Sequence, residues 1–209
     1  MIQRHFIHDN EDLFYFDANE FCSYDDFYEM GSLPLDIYCQ FLTPKYHFME
    51  YISRTVKDVS LQHEKERRFV LSFKDGETKA MKRAAWMIVN AIHDNGLADE
   101  RYTLMCIPAS SRKKNQRRYK KFMRLVCKYA HIQNGYEIVS VNSDRTEVHA
   151  GGSRQICNYS LPSDLSGRKV ILFDDVETTG KTFAKFSQEL ENRGAEVVQG
   201  LFLAHAMPF

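Results

Sequence analysis

A chain of 209 residues and 24.5 kDa, 44% hydrophobic and 27% charged, has material for one sizeable core plus an appendage. Its 28 Lys+Arg balance 28 Asp+Glu, so bulk charge selects neither nucleic acid nor a membrane surface, and no apolar run reaches the ~20 residues of a transmembrane helix. The five cysteines (Cys22, Cys39, Cys106, Cys127 and Cys157) are odd in number and form no C-x-x-C pair, which argues against zinc knuckles and a disulfide framework.

The chain opens without the apolar core of a signal peptide, and a reducing cytoplasm is the expected compartment. Residues 1–30 are acidic and aromatic: Asp9, Glu11, Asp12, Asp17, Glu20, Asp25, Asp26 and Glu29 face one base, Arg4. Residues 79–95, KAMKRAAWMIVNAIHDN, place Ala80, Ala84, Met87, Ile88, Ala91 and Ile92 at helical spacing, and Asn95-Gly96 ends that helix. TLMCIP, 103–108, reads as a buried strand stopped by Pro108. Residues 116–131 predict a second helix, with Tyr119, Phe122, Met123, Val126 and Ala130 inward.

YEIVSV, 136–141, reads as a strand after the turn Asn134-Gly135, and 142–168 reads mostly as loop. A strand KVILFD, a helix over about 179–193, the stop Gly194 and a closing strand VVQGLFLA complete the chain. Strands alternating with helices predict an α/β fold: a parallel sheet with helices on both faces. Such sheets bind ligands beyond the carboxyl ends of their strands. Here those ends are 108–111, the region after Val141, and Asp174-Asp175.

The stretch VILFDDVETTGKTF, 170–183, carries the chemistry. Four apolar residues with no alternation predict a strand buried on both faces. Two carboxylates then emerge, pointing to opposite sides, and each can accept from vicinal hydroxyls or help hold a metal. Thr178-Thr179-Gly180-Lys181-Thr182 follows as a hydroxyl-rich turn into a helix, a phosphate-binding arrangement. Ribose hydroxyls beside a phosphate describe a ribose 5-phosphate. One Asp or Thr here would be an ordinary cap; the conjunction is much rarer. Gly180-Lys181-Thr182 also matches the end of a nucleotide P-loop, but its first glycine would fall on Asp175, whose charge repels phosphate.

This stretch resembles the phosphoribosyl-pyrophosphate (PRPP) motif of type I phosphoribosyltransferases, nearest to the ComF-like group of predicted amidophosphoribosyltransferases, over roughly residues 69–206. FVLSFKDGETKAMKRAAWMI is similar to a Lys-containing segment before that group's first long helix and singles out Lys74. CIPASSRKKNQRRY resembles its strand end and basic loop. HAGGSRQICNYSL resembles the segment onto which Arg154 and Asn158 map, and AEVVQGLFLAHA its closing strand. The zinc ribbon usual in the group has no counterpart here, and RRYKKF replaces its Arg-Gly-Phe-Asn-Gln.

The resemblance implies a type I core over 66–209. The divergent N-terminal segment, 1–65, is read either as the acceptor hood or as simple packing against the sheet or a protein partner. It implies ribose hydroxyls on Asp174 and Asp175, with Mg²⁺ beside them, and 5-phosphate on Thr178, Thr179, Gly180, Lys181 and Thr182. Pyrophosphate would lie along Ala109, Ser110, Ser111 and Arg112, and 143–158 would close over the reacting centre with Arg154 reaching the diphosphate. His149 beside Gly151-Gly152 is expected to be solvated, as is Glu177. The implied activity is transfer of phosphoribose to a nitrogen nucleophile, with a homodimer as a further expectation. A PRPP-binding regulator or a DNA-uptake accessory without turnover is the alternative. The basic run 111–124 is read chiefly as a solvated helical face, next as an attractor of diphosphate, and last as a nucleic-acid contact.

Overall fold

Val170, Ile171, Leu172 and Phe173 are all fully buried, and the sheet is built around them. The computed structural model describes residues 40–141 and 159–207, within the unit Pro34–Phe209. Its elements, in chain order, begin with a 3₁₀ turn (Gln40–Leu42), β1 (Lys45–His47) and β2 (Glu50–Tyr51), followed by α1 (Leu61–Lys74), α2 (Thr78–Asp94) and β3 (Tyr102–Cys106). Next comes a helix in three parts: α3 (Arg112–Asn115), a π-helical turn (Gln116–Lys120) and α4 (Lys121–Ala130). β4 (Gln133–Asn134), a 3₁₀ turn (Tyr136–Ile138), β5 (Ser140–Val141), β6 (Tyr159–Ser160), β7 (Lys169–Glu177), α5 (Lys181–Glu191) and β8 (Glu196–Ala206) complete the set.

The main sheet runs β4-β3-β7-β8-β1, with β2 also on β8, and every pairing is parallel. Alternate side chains of β7 feed two cores. Ile171 and Phe173 join α1, α2 and α4, whereas Val170 and Leu172 join Phe183, Phe186 and Leu190 of α5. Helices therefore cover both faces, the architecture of type I phosphoribosyltransferases that the resemblance implied. Phe173 is gripped edge-on by Phe73 at 5.9 Å and lies 4.5 Å from Phe122 between ring centroids. Such ring pairs add about 0.5–1.5 kcal/mol beyond burial.

β3 leads outward through α3 and α4 to β4, while β7 leads the other way through α5 to β8. The strand order thus reverses between β3 and β7, and the crevice beyond their carboxyl ends is the ligand-binding place of an open parallel sheet. β3 stops pairing at Cys106↔Phe173, but β7 continues along β8 to Glu177↔His205. Asp174 and Asp175 therefore lie within a strand that has lost one neighbour, not beyond its end.

Three further differences from the sequence reading have local causes. α1 has a charged first half, LQHEKERR, that hides its period; Ser60 caps it through His63 N, and Glu64 pairs with Arg67 and Arg68. The first half of the expected strand 136–141 is a 3₁₀ turn, because Asn134 Oδ1 accepts from Tyr136 N (2.9 Å) and Gly135 O from Ile138 N (3.0 Å). Only Ser140–Val141 is extended, paired antiparallel with β6 in a separate two-stranded sheet. Gly135 itself passes so close to β3 that a Cβ would stand 2.7 Å from Leu104 O. The described part of the N-terminal segment supplies β1 and β2, which pair with the outer edge of β8.

Among the described residues no helix is long and apolar enough to cross a membrane.

Candidate functional site

The helix leaving β3 brings two side chains to the aspartate pair. Arg118 Nη1 donates to Asp175 Oδ2 at 2.8 Å, and Tyr119 Oη donates to Asp174 Oδ1 at 3.1 Å. Both residues lie in the π turn, a local geometry found often at functional sites. Lys74, the last residue of α1, reaches Asp175 Oδ1 at 3.3 Å, and Arg118 Nε also donates to Lys74 O at 3.2 Å. Asp175 is 5% exposed and holds one cation on each oxygen.

Asp174 is placed differently. Its Oδ1 also accepts from Asp175 N at 2.8 Å, which folds the carboxylate back on the strand. Burial, and then the charge of Asp175, push its pKa up to about 7. Cys106 lies beneath the pair, and burial raises its thiol well above the usual range, so no thiolate nucleophile is available there. The two aspartates are thus unequal: one is a fixed charge locked between Lys74 and Arg118, the other a group that titrates near neutrality.

The turn Thr178-Thr179-Gly180 leads into α5, with both threonines exposed and Gly180 buried. Gly180 takes φ +70° at the N-cap of α5 and provides no side-chain cap. A Cβ on it would stand 3.0 Å from Glu177 Oε1 and 3.2 Å from the Phe41 ring. Gly180→Ala is therefore expected to destabilise by roughly 1–2 kcal/mol from the left-handed backbone alone, and to weaken any phosphate binding at the turn. Urea unfolding and a ligand-induced melting shift measure the two effects separately.

Glu177 was expected to be solvated, and the structure overturns this. It is 7% exposed, 2.5 Å from His47 Nε2 and 3.7 Å from Lys45 Nζ. The reason is β1, which brings both bases onto the edge of β8 opposite the end of β7. His47 stacks on Phe202 at 5.1 Å, and burial lowers the pKa of the neighbouring His205. This polar cluster lies under the turn, with Glu177 Oε1 close to Gly180.

At the end of β3, Asn115 Oδ1 accepts from Ala109 N at 3.1 Å and so fixes the loop. Ser111 caps α3 through Lys114 N, and Ser110 Oγ accepts from Lys114 Nζ at 3.2 Å. Arg112 is exposed beside a recess of about 350 Å³ that Tyr136 and Val141 also line. Lys74, Asp174 and Asp175 come together as a cluster, with Ala109–Arg112 and Thr178–Thr182 at the ends of the two flanking strands. Arg154, His149, Gly151, Gly152 and Asn158, and the closing segment 143–158, lie outside the described residues.

Sequence reasoning missed Arg118, Tyr119 and Asn115. Arg118 was placed on a solvated basic face, and the structure corrects this: it is an ion-pair partner of Asp175.

Among the described residues no group of three or more His, Cys, Asp or Glu could hold a metal ion. Both oxygens of Asp175 are already taken by cations. A divalent cation at this edge would therefore draw most of its ligands from a bound molecule.

A family model described as phosphoribosyl transferase domain matches residues 74–205, more than half of the chain. The match begins at the lysine that pairs with Asp175 and ends at the histidine facing Glu177 in β8. No curated protein matches the chain.

Proposed function

The chain belongs to the phosphoribosyl transferase domain family, and on that footing we propose that it transfers the 5-phosphoribosyl group of PRPP to a nitrogen nucleophile, releasing pyrophosphate. One observation carries this reading: adjacent unequal carboxylates at the reversal of the sheet, three residues before a Thr-Thr-Gly turn that opens a helix. Asp174 and Asp175 accept the ribose hydroxyls, since a carboxylate has lone pairs beyond those Tyr119, Lys74 and Arg118 use. Thr178, Thr179 and Thr182, with the backbone of Gly180 and Lys181, hold the 5-phosphate at the amino end of α5.

The diphosphate lies along Ala109, Ser110, Ser111 and Arg112, drawn by the positive end of the basic helix. Mg²⁺ arrives with the substrate, with Asp174 and Asp175 beside it; its charge stabilises the departing pyrophosphate. Arg154 in the closing segment would add a guanidinium fork on the diphosphate and help to keep water from the ribosyl carbon. The same residues favour the ComF-like group within the family, and the buried thiols Cys106 and Cys127 suit a reducing cytoplasm.

The test is a melting curve with and without PRPP and Mg²⁺, followed by pyrophosphate release with ammonia and a panel of bases. PRPP at a hundredfold excess over Kd stabilises by about 2.7 kcal/mol, and release with at least one acceptor is expected. Stabilisation without release from any acceptor would leave a PRPP-binding regulator. No stabilisation would remove both readings.

A further inference from the structure

The outward faces of α2 and α4 have no task in that chemistry, yet their composition is one-sided. Residues 78–93 and 112–131 contain no Asp or Glu, in a chain whose charges sum to zero. The two helices pack side by side through Ala84, Ile88, Phe122 and Val126, so their solvent faces form one surface. Lys79 and Lys82 are exposed on α2, and Lys121, Arg124 and Lys128 on α4, spaced three or four residues apart along each helix. Among the described residues none of these five takes part in an ion pair.

Two aromatic rings meet where α2 and α4 adjoin. Trp86 is 52% exposed and Tyr129 43%, with centroids 4.9 Å apart and planes at 38°. Lys128 Nζ lies 5.4 Å from the Tyr129 ring, and His93 Nε2 lies 3.2 Å from Tyr129 O, tying α2 to α4 at that point. Large rings held in water amid unpaired cations mark a binding surface more than a core. A second copy of this chain on the same face would set cations against cations. A membrane would take the charges, but rings packed on each other are poorly placed to enter lipid.

We propose that this face binds single-stranded nucleic acid, its bases stacking on Trp86 and Tyr129 and its phosphates running along Lys79, Lys82, Lys121, Arg124 and Lys128. Stacking platforms flanked by positive rows suit single strands, because every unpaired base offers a ring face that a duplex conceals. Cations one helical turn apart recur at about 5.4 Å, close enough to follow a phosphate backbone. The surface uses none of the residues assigned to PRPP and stands independently of that assignment.

Trp86 is the chain's single tryptophan, so its emission reports directly on the platform. Titration of the full chain with a twenty-nucleotide oligothymidylate should quench it. Affinity should fall roughly 50-fold between 50 and 200 mM salt if four phosphates are neutralised. The exposed triple variant Lys79→Glu, Lys82→Glu, Lys128→Glu, which lies outside the basic run 111–124, should lose at least tenfold in affinity while keeping its circular dichroism and its response to PRPP. Trp86→Ala, followed by anisotropy of a labelled strand, should also weaken binding. The idea is overturned by no quenching at 50 mM salt, by equal affinity for a duplex of the same length, by equal quenching from phosphatidylserine vesicles, or by unchanged binding in the charge variant.

Discussion

Asp175→Ala should lower folding stability by about 3 kcal/mol and abolish stabilisation by PRPP. The carboxylate is 5% exposed and sits between Lys74 and Arg118, whose side chains are themselves largely covered. Its removal leaves two like charges facing each other with no counter-ion. Breaking a buried pair from one side typically costs 3–5 kcal/mol, and the partial exposure of both bases places this case at the low end. Arg118→Ala should cost less, because Lys74 still neutralises Asp175.

The effect on ligand is separate, since Asp175 also fixes where the two bases stand at the crevice. Urea unfolding of Asp175→Ala and Arg118→Ala, each repeated with PRPP and Mg²⁺, checks both statements. Equal urea midpoints for Asp175→Ala and the parent would mean that the ion pairs contribute nothing net. A retained PRPP response would remove Asp175 from the site.

The readable parts of this fold were those whose signal is local. Val170–Phe173 has no polar residue to break it, so a doubly buried strand was the natural reading; the carboxylates at 174 and 175 continue that strand past the last pairing with β3. α2 was plain because its apolar residues keep one phase for four turns. Arg118 was not plain: a uniform helical wheel from 116 assigns it to the solvated face, whereas in the structure it reaches Asp175 from within the π turn.

Glu177 failed for a longer-range reason. Its partners Lys45 and His47 lie about 130 residues away in sequence, and no local pattern announces that β1 will come to rest against β8. Asn134 misled more subtly. It does make a turn, but its side chain continues to hold the backbone one residue beyond, which replaces the first half of the expected strand by a 3₁₀ turn. In each case the residue type was read correctly and its neighbour was not.

The inequality of the two aspartates should appear as opposing pH dependences. Burial and the charge of Asp175 raise Asp174 from 3.8 to about 7 in the folded chain, so between those values the native state holds a proton that the unfolded chain has released. Stability of the ligand-free protein should therefore fall as pH rises from about 4 to 7 and level off above, by ~2 kcal/mol if half of the shift is realised in solution. Asp174→Asn, which is neutral throughout and keeps the shape of the side chain, should lose that slope and be more stable than the parent at pH 8. Ribose hydroxyls donate to an ionised carboxylate, so PRPP binding should run the other way and strengthen about tenfold between pH 6 and 8 for a group titrating at 7. The phosphates of PRPP titrate too, but they do so equally with both proteins, and the ratio of parent to Asp174→Asn affinities isolates the carboxylate. Unfolding curves at pH 5 and 8, with calorimetric PRPP affinities for both proteins, decide the matter. A parent stability that rises from pH 5 to 8, or an affinity ratio flat with pH, would show that Asp174 is already ionised and that the asymmetry of the pair plays no part in binding.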